Sequence, residues 1–506
     1  MLNRIGIITI LLGLSSVEVF PAEPFDSDSL ALHGVHLIYN LQIEAGMACF
    51  DQLMESEPDN PRGEFLKAAS YYWLVLTAMS DPVTGKQFQS ACESAIDRLN
   101  QYVKHEPENL DYQFYQGSLY MALGGYYGLQ KSWWNAYWKG KKGKNILQRV
   151  VAQDSTYYDA YVSLGMYYYY SEMMPKLLKF FAPLLGIDGD RQKGLSYLKQ
   201  AAEHGTYAVA QAKFCLADIY LRWEKHVYTA RHLFRELHEA YPHNWVFQLG
   251  LADCYRRVGQ PRRAIAALQP LIVPEHSTTH PELVRVAYYL LGRAYYALNE
   301  FEVAKTYFSR SVADSALNGR HHYAYFSACY HLGVTQELLG DRHAALEAYQ
   351  RVTGEDDVSE QLQTHVQNRI AQPLLPIDQE LIQGENWYYS RHYAKAMDIY
   401  HRLLAQIARQ EEGYPSSKRS EVHYQMGRVH YSTGHYHDAI HQFDLALHHL
   451  PAAERGLKSQ IHFRLGTCYR LLGEAEKALS EYDRAYKLGD SYLRTEVDRV
   501  RHGIQH

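Results

Sequence analysis

LGTCYRLLGEAEKALSEYDRAYKL, residues 465–488, is the stretch on which the fold turns. Leu465, Gly466 and Tyr469 mark one helix, and Ala478, Tyr482 and Ala485 recur on one face of a second. Small residues at Gly466 and Ala478 let the two helices approach closely, and the Tyr482 ring fills the wedge towards the next pair. One such hairpin cannot bury its apolar face alone, so copies of it must stack.

Copies are present. Leu332-Gly333 with Ala345 and Tyr349 has the same register, as do Met426-Gly427 with Ala439, Phe443, Ala446 and Pro451, and Leu291-Gly292-x-x-Tyr295 with Ala304 and Phe308. Looser copies are Leu251-Ala252-x-x-Tyr255 with Ala264 and Leu268, and Leu216-Ala217-x-x-Tyr220 with Ala230, Phe234, Leu237 and Pro242. Upstream, Leu164-Gly165-x-x-Tyr168 pairs with Gly194, Leu198 and Ala201, while Gly117 with Tyr120, Ala95 with Pro107, and Gly34 with Phe50 and Pro58 are degenerate. The pattern resembles the tetratricopeptide repeat. That resemblance implies an all-α, right-handed superhelical solenoid of about eleven helix pairs over roughly residues 27–490, with the first helix of each pair lining the concave surface. Residues 180–201, through LLGIDGDRQKGLSYL, also resemble eukaryotic long tetratricopeptide proteins of the outer-membrane and inclusion-clearance type.

The spacing lengthens between Gly117 and Gly165, between Gly165 and Ala217, and between Gly333 and Gly384, so inserts or longer helices are expected there. The chain divides into residues 1–22, a leader, 23–157, degenerate helices with a Trp/Lys insert, and 158–375, a central array with an apolar insert at 173–190. Residues 376–490 are C-terminal repeats, and 491–506 a polar capping helix.

The 506 residues carry 51 Lys plus Arg against 56 Asp plus Glu, without a long run of either sign, which argues against a nucleic-acid partner. An apolar fraction of 47% excludes a disordered chain, and 44 tyrosines against 16 phenylalanines suit helix contacts and exposed grooves. At the N-terminus Arg4, an apolar run over residues 5–14 and small residues thereafter read as a secretory signal cleaved after Ser16 or Ala22. The mature chain is therefore expected outside the cytoplasm, periplasmic or extracellular. Its six cysteines are scattered and form no CxxC, which favours buried free thiols.

By the resemblance, the outward positions of the concave helices are Arg256, Tyr289, Arg293, Tyr296, Tyr330, Tyr424, Arg428, Tyr431 and Arg470, a set suited to an extended, acidic peptide. KSWWNAYWKGKKGKN, residues 131–145, combines Trp133, Trp134 and Trp138 with Lys139, Lys141 and Lys142, a candidate membrane-surface contact whose alternative is tryptophan buried against the next repeat. His437, His441 and His448 lie on one stripe with Asp444, at spacings where neighbouring imidazoles can chelate zinc, and the alternative is a solvated outer face. HExxH, GxSxG, Walker and dinucleotide-glycine motifs are absent. His238 and His243 of HEAYPH stand five apart, on different faces of a helix. The reading is an exported scaffold for protein–protein interaction without catalysis or cofactor. The alternative is a membrane-surface adaptor docking through the Trp/Lys insert, and a metal protein or enzyme ranks last.

Overall fold

The computed structural model describes residues 26–78, 82–173, 186–273, 281–313, 322–354, 358–451 and 454–502. Residues 1–22, expected as a leader, and residues 174–185 of the expected apolar insert lie outside them. Among the described residues there are twenty-four α-helices and no strand. In chain order the first ten are α1 (Ser27–Tyr39), α2 (Ile43–Ser56), α3 (Arg62–Ala78), α4 (Pro82–His105), α5 (Leu110–Leu129), α6 (Trp133–Gln153), α7 (Ala160–Glu172), α8 (Arg191–His204), α9 (Val209–Arg222) and α10 (Val227–Ala240). Then follow α11 (Trp245–Arg257), α12 (Pro261–Leu268), α13 (Pro281–Ala297), α14 (Phe301–Ser311), α15 (His322–Leu338), α16 (Arg342–Gln350), α17 (Glu360–Ala371) and α18 (Pro376–Tyr389). The last six are α19 (Tyr393–Ala408), α20 (Arg419–Ser432), α21 (Tyr436–His449), α22 (Arg455–Leu471), α23 (Ala475–Leu488) and α24 (Ser491–His502).

Successive helices pair as eleven hairpins, with α17 and α24 standing alone. The helix α17 occupies the interval that was too long between Gly333 and Gly384, and α6 supplies the extra length between Gly117 and Gly165. One contact builds each regular hairpin: a glycine in the first helix lies under the aromatic ring sixteen residues later. A Cβ on Gly292, Gly333, Gly384, Gly427 or Gly466 would stand within 2.8 Å of Phe308, Tyr349, Tyr400, Phe443 or Tyr482 respectively. All five rings are fully buried. In the long α5–α6 hairpin glycines meet instead, since a Cβ on Gly124 would stand 2.8 Å from the Gly140 nitrogen.

The turn inside a hairpin needs one left-handed residue seven positions after that glycine. Gly340, Gly434 and Gly473 supply it without a steric cost, while Leu41, Asn299 and Arg391 adopt the same positive φ with a side chain. At the C-terminal end, α24 buries Val497 in one cluster with Ala478, Tyr482 and Ala485, so it covers the face that a further hairpin would otherwise take.

Long-range contacts fold the solenoid back on itself twice. The Asn244 amide donates to the Tyr39 carbonyl at 2.6 Å, and the His243 N–H donates to Asn40 Oδ1 at 3.1 Å. Trp73 of α3 lies 5.3 Å from Phe214 of α9 and 5.8 Å from Phe247 of α11, between ring centroids. The N-terminal hairpins thus close against α9 and α11 around a cavity. In the second return, α18 comes back to α13: the Asn386 amide donates to the Tyr296 carbonyl at 2.8 Å, and the Ser390 hydroxyl to the Ala297 carbonyl at 2.9 Å. Arg391, just past α18, donates to the Tyr228 hydroxyl of α10.

Candidate functional site

The second return encloses a cationic cluster built from three helices. The Asn244 side chain caps α11 by accepting from the Val246 N–H at 3.0 Å. That helix then carries Asp253, Arg256 and Arg257 in its last turns. Asp253 accepts from Arg256 Nε at 2.9 Å and from Arg257 Nε at 2.8 Å, and their charges hold its carboxyl far below the usual range despite burial. On α13, Tyr289, Arg293 and Tyr296 stand at i, i+4 and i+7 and so share one face. Arg293 Nη1 donates to the Tyr289 hydroxyl at 3.0 Å and makes no ion pair among the described residues. Burial lowers the pKa of Arg256, which Asp253 opposes and the neighbouring charge of Arg293 reinforces. Two guanidinium groups therefore share the Asp253 carboxylate, and a third, Arg293, stands beside them on a neutral hydroxyl.

His331 of α15 sits among these residues. Its ring centroid lies 5.2 Å from Tyr330, 6.0 Å from Tyr289 and 6.2 Å from Tyr296. Its Nδ1 is 2.7 Å from the Ser327 carbonyl, which makes Nδ1 the proton-bearing nitrogen. Burial, then the charge of Arg293, pushes its pKa well below the ordinary histidine value. Arg256, Tyr289, Arg293, Tyr296 and Tyr330 from the sequence-derived set thus converge, and they do so around a residue that the repeat pattern does not single out. The position before the Leu-Gly or Met-Gly pair of the repeat copies holds Ser163, Leu290, His331, Gln425 and Arg464, so it carries no shared residue type.

The remaining four positions separate from that cluster. Arg428 is buried, with its guanidinium carbon 4.3 Å from the ring centroid of Tyr388, 5.0 Å from Tyr389 and 5.9 Å from Tyr424. It also donates to Gln425 at 2.6 Å, so this arginine is consumed by packing. Tyr424 is buried and its hydroxyl donates to Gln460 at 3.3 Å. Tyr431 lies 5.6 Å under Arg464, and Arg470 is exposed.

Trp133, Trp134 and Trp138 at the start of α6 are exposed, at 69%, 69% and 51%, and so are not buried against a neighbouring repeat. The lysines beside them turn inward onto tyrosines. Lys142 donates to the Tyr120 hydroxyl at 2.7 Å with Lys139 also over that ring, and Lys141 donates to Tyr137 at 2.9 Å. No helix among the described residues is long and apolar enough to cross a membrane. His437, His441 and His448 occupy an exposed stripe of α21. Among the described residues no three His, Cys, Asp or Glu side chains converge on a position that could hold a metal ion. All six cysteines are free, and burial pushes the Cys92, Cys215, Cys254 and Cys468 thiols up to about 12.

A family model described as Iml2/Tetratricopeptide repeat protein 39 matches residues 171–403, and a tetratricopeptide repeat model matches residues 424–492. No curated protein matches the chain. Solved structures similar to it include a Rap protein complexed with competence and sporulation factor, 14% identical over 87% of this chain and 99% of that one, with a TM-score of 0.40. The human IFIT1 dimer with m7Gppp-AAAA is 13% identical over 92% of this chain and 91% of that one, with a TM-score of 0.34. An APC/C hetero-tetramer, Cut9-Hcn1, is 15% identical over 95% and 91%, with a TM-score of 0.27.

Proposed function

We propose that the chain, a tetratricopeptide-repeat protein by the two models it matches, is a scaffold for protein–protein interaction that holds an extended, carboxylate-bearing peptide against Arg256 and Arg293 and does no chemistry of its own. The observation that carries this reading is Arg293. Its guanidinium has a neutral hydroxyl as its partner, while the nearby carboxylate, Asp253, is already shared by Arg256 and Arg257. A peptide carboxylate would complete the pairing with charge-assisted hydrogen bonds, and Tyr296 and Tyr330 would flank it with amphipathic rings. The near-even charge balance of the chain argues against a nucleic-acid ligand in this reading. The charged start and short apolar run of residues 1–22 support an interaction outside the cytoplasm as part of this reading.

The test is fluorescence anisotropy with a Glu-rich peptide and its Gln-matched twin. The wild type should prefer the Glu peptide, more so at low salt, and Arg256→Ala with Arg293→Ala should lose that preference at unchanged helicity. Equal binding of both peptides by the wild type would sink the reading.

A second reading is supported by the exposure of Trp133, Trp134 and Trp138. Three indoles presented to solvent suit the interfacial layer of a membrane, which makes the chain an adaptor docking through α6. Co-sedimentation with phosphatidylserine vesicles that is lost on changing all three to serine would support it. Equal recovery of both forms in the pellet would remove it.

A further inference from the structure

The first return of the solenoid shapes a partly open cavity of about 390 Å³ between α1, α3, α5, α6, α7 and α9. Protein interiors are close-packed and leave few voids larger than a water molecule, whereas small-molecule pockets run from about 300 to 1,000 Å³. A space of this size, lined by residues of the N-terminal core, has the dimensions of a ligand site.

Its walls state the ligand's chemistry. Phe65, Leu119, Val162 and Met166 represent a lining that is mostly aliphatic and aromatic. Among the described residues no lysine or arginine lines it, and the carboxylate that does, Asp159, already accepts the backbone N–H groups of Thr206, Tyr207 and Ala208 at 2.9 to 3.1 Å. An anionic head inside this space would find no cation among the described lining residues and would face Asp159. A cationic head would have to compete with three existing hydrogen bonds. Ser118, Ser163 and Gln211 are neutral groups in the wall that suit a single hydroxyl.

One residue shows that the space is built into the helices. Gly140 of α6 is part of the wall, and a Cβ placed on it meets no heavy atom within 4 Å. The opposite face of the α5–α6 contact is tight at Gly124, so the glycine pair brings the two helices together while leaving the inner side of α6 bare.

We propose that this cavity binds one uncharged lipid, an aliphatic body carrying at most one hydroxyl, independently of the peptide cluster around Arg293.

The experiment is equilibrium binding of tritiated hexadecan-1-ol to the full chain, with palmitate at pH 8 as the charged counterpart. Saturable one-to-one binding of the alcohol, at least tenfold tighter than palmitate, is expected. Gly140→Leu fills the space from a position without steric neighbours and should weaken binding at least tenfold while circular dichroism stays unchanged. Ser163→Phe, entering from α7, should do the same. Changing Trp133, Trp134 and Trp138 to serine should leave the stoichiometry at one, which separates the cavity from adsorption on the exposed indoles. The proposal is overturned if the wild type shows no saturable binding, if palmitate binds as tightly, if a folded cavity variant binds like wild type, or if the tryptophan variant alone loses the ligand. Arg293→Ala should retain full alcohol binding, so a failure of the peptide reading would leave this result intact.

Discussion

Gly333 of α15 lies directly under the ring of Tyr349 of α16, where a Cβ would stand 2.4 Å from Tyr349 Cε1. The same pair of positions recurs at Gly292 and Phe308, Gly384 and Tyr400, Gly427 and Phe443, and Gly466 and Tyr482. Because the buried ring has no space to retreat into, Gly333→Ala is expected to destabilise the chain by about 1–3 kcal/mol through overpacking. Gly456, near the start of α22, has no heavy atom within 4 Å of its Cβ position. There Gly456→Ala should be neutral or stabilising by up to about 1 kcal/mol, because only helix propensity changes. Urea unfolding of the two variants side by side reads the difference.

Tyr349 also anchors a buried charge. Its hydroxyl donates to Glu337 at 2.8 Å, the Leu374 N–H donates to the same carboxylate at 3.4 Å, and Arg342 pairs with it while donating to the Ile370 carbonyl at 2.8 Å. This network ties α15, α16 and the chain after α17 together. Glu337→Ala leaves Arg342 without its counter-charge and is expected to cost about 3–5 kcal/mol. Tyr349→Phe keeps the packing and removes one hydrogen bond, for about 1–2 kcal/mol. A double-mutant cycle should show strong coupling between the two, and additivity would mean that the hydroxyl bond contributes nothing.

Leu41 holds φ at 60° in the turn between α1 and α2, where three later hairpins use Gly340, Gly434 and Gly473. The left-handed conformation costs an L-residue about 1–2 kcal/mol, and glycine loses part of that advantage through its freer unfolded chain. Leu41→Gly should therefore raise stability by about 0.5–1 kcal/mol. Gly473→Ala, at φ 80° in the last hairpin, should lower it by a similar amount. Thermal unfolding of both reads the opposite signs.

His331 is kept neutral, its pKa pushed well below 6.5 first by burial and then by Arg293. The unfolded chain takes up that proton near 6.5 while the folded chain refuses it, so stability is complete above that pH and falls as the pH drops below it. His238, His423, His430 and His449 are lowered by burial in the same direction. Urea midpoints should be flat from pH 7 to 8 and decline steadily from 6.5 towards 5. His331→Phe preserves a ring among Tyr289, Tyr296 and Tyr330, and should flatten part of that decline. An unchanged slope would show that His331 gains its proton in the folded state.

The parts of the site legible in the sequence were those on a repeat position. Arg256, Tyr289, Arg293, Tyr296 and Tyr330 were found because the concave face of a regular hairpin is set by helical spacing. Arg428 occupies an equivalent position and is nevertheless enclosed by Tyr388, Tyr389 and Tyr424, because two of those rings belong to the helix α18 from an earlier hairpin. Its fate depended on which helix came to lie beside it. His331 was not legible at all, since its importance comes from Tyr289 and Tyr296 on another hairpin rather than from its own neighbours in the chain.

From the sequence alone came the helices, their pairing and their stacking. A glycine and an aromatic residue sixteen positions apart make a contact within one hairpin, and a local contact leaves a period that can be read. The two returns of the solenoid were decided only in three dimensions. Asn244 meets Tyr39, and Asn386 meets Tyr296, across many hairpins. Such closures depend on the summed small rotation of every intervening hairpin, a quantity that no residue records individually. The apolar cavity inside the first return and the arginine cluster inside the second are both products of that sum.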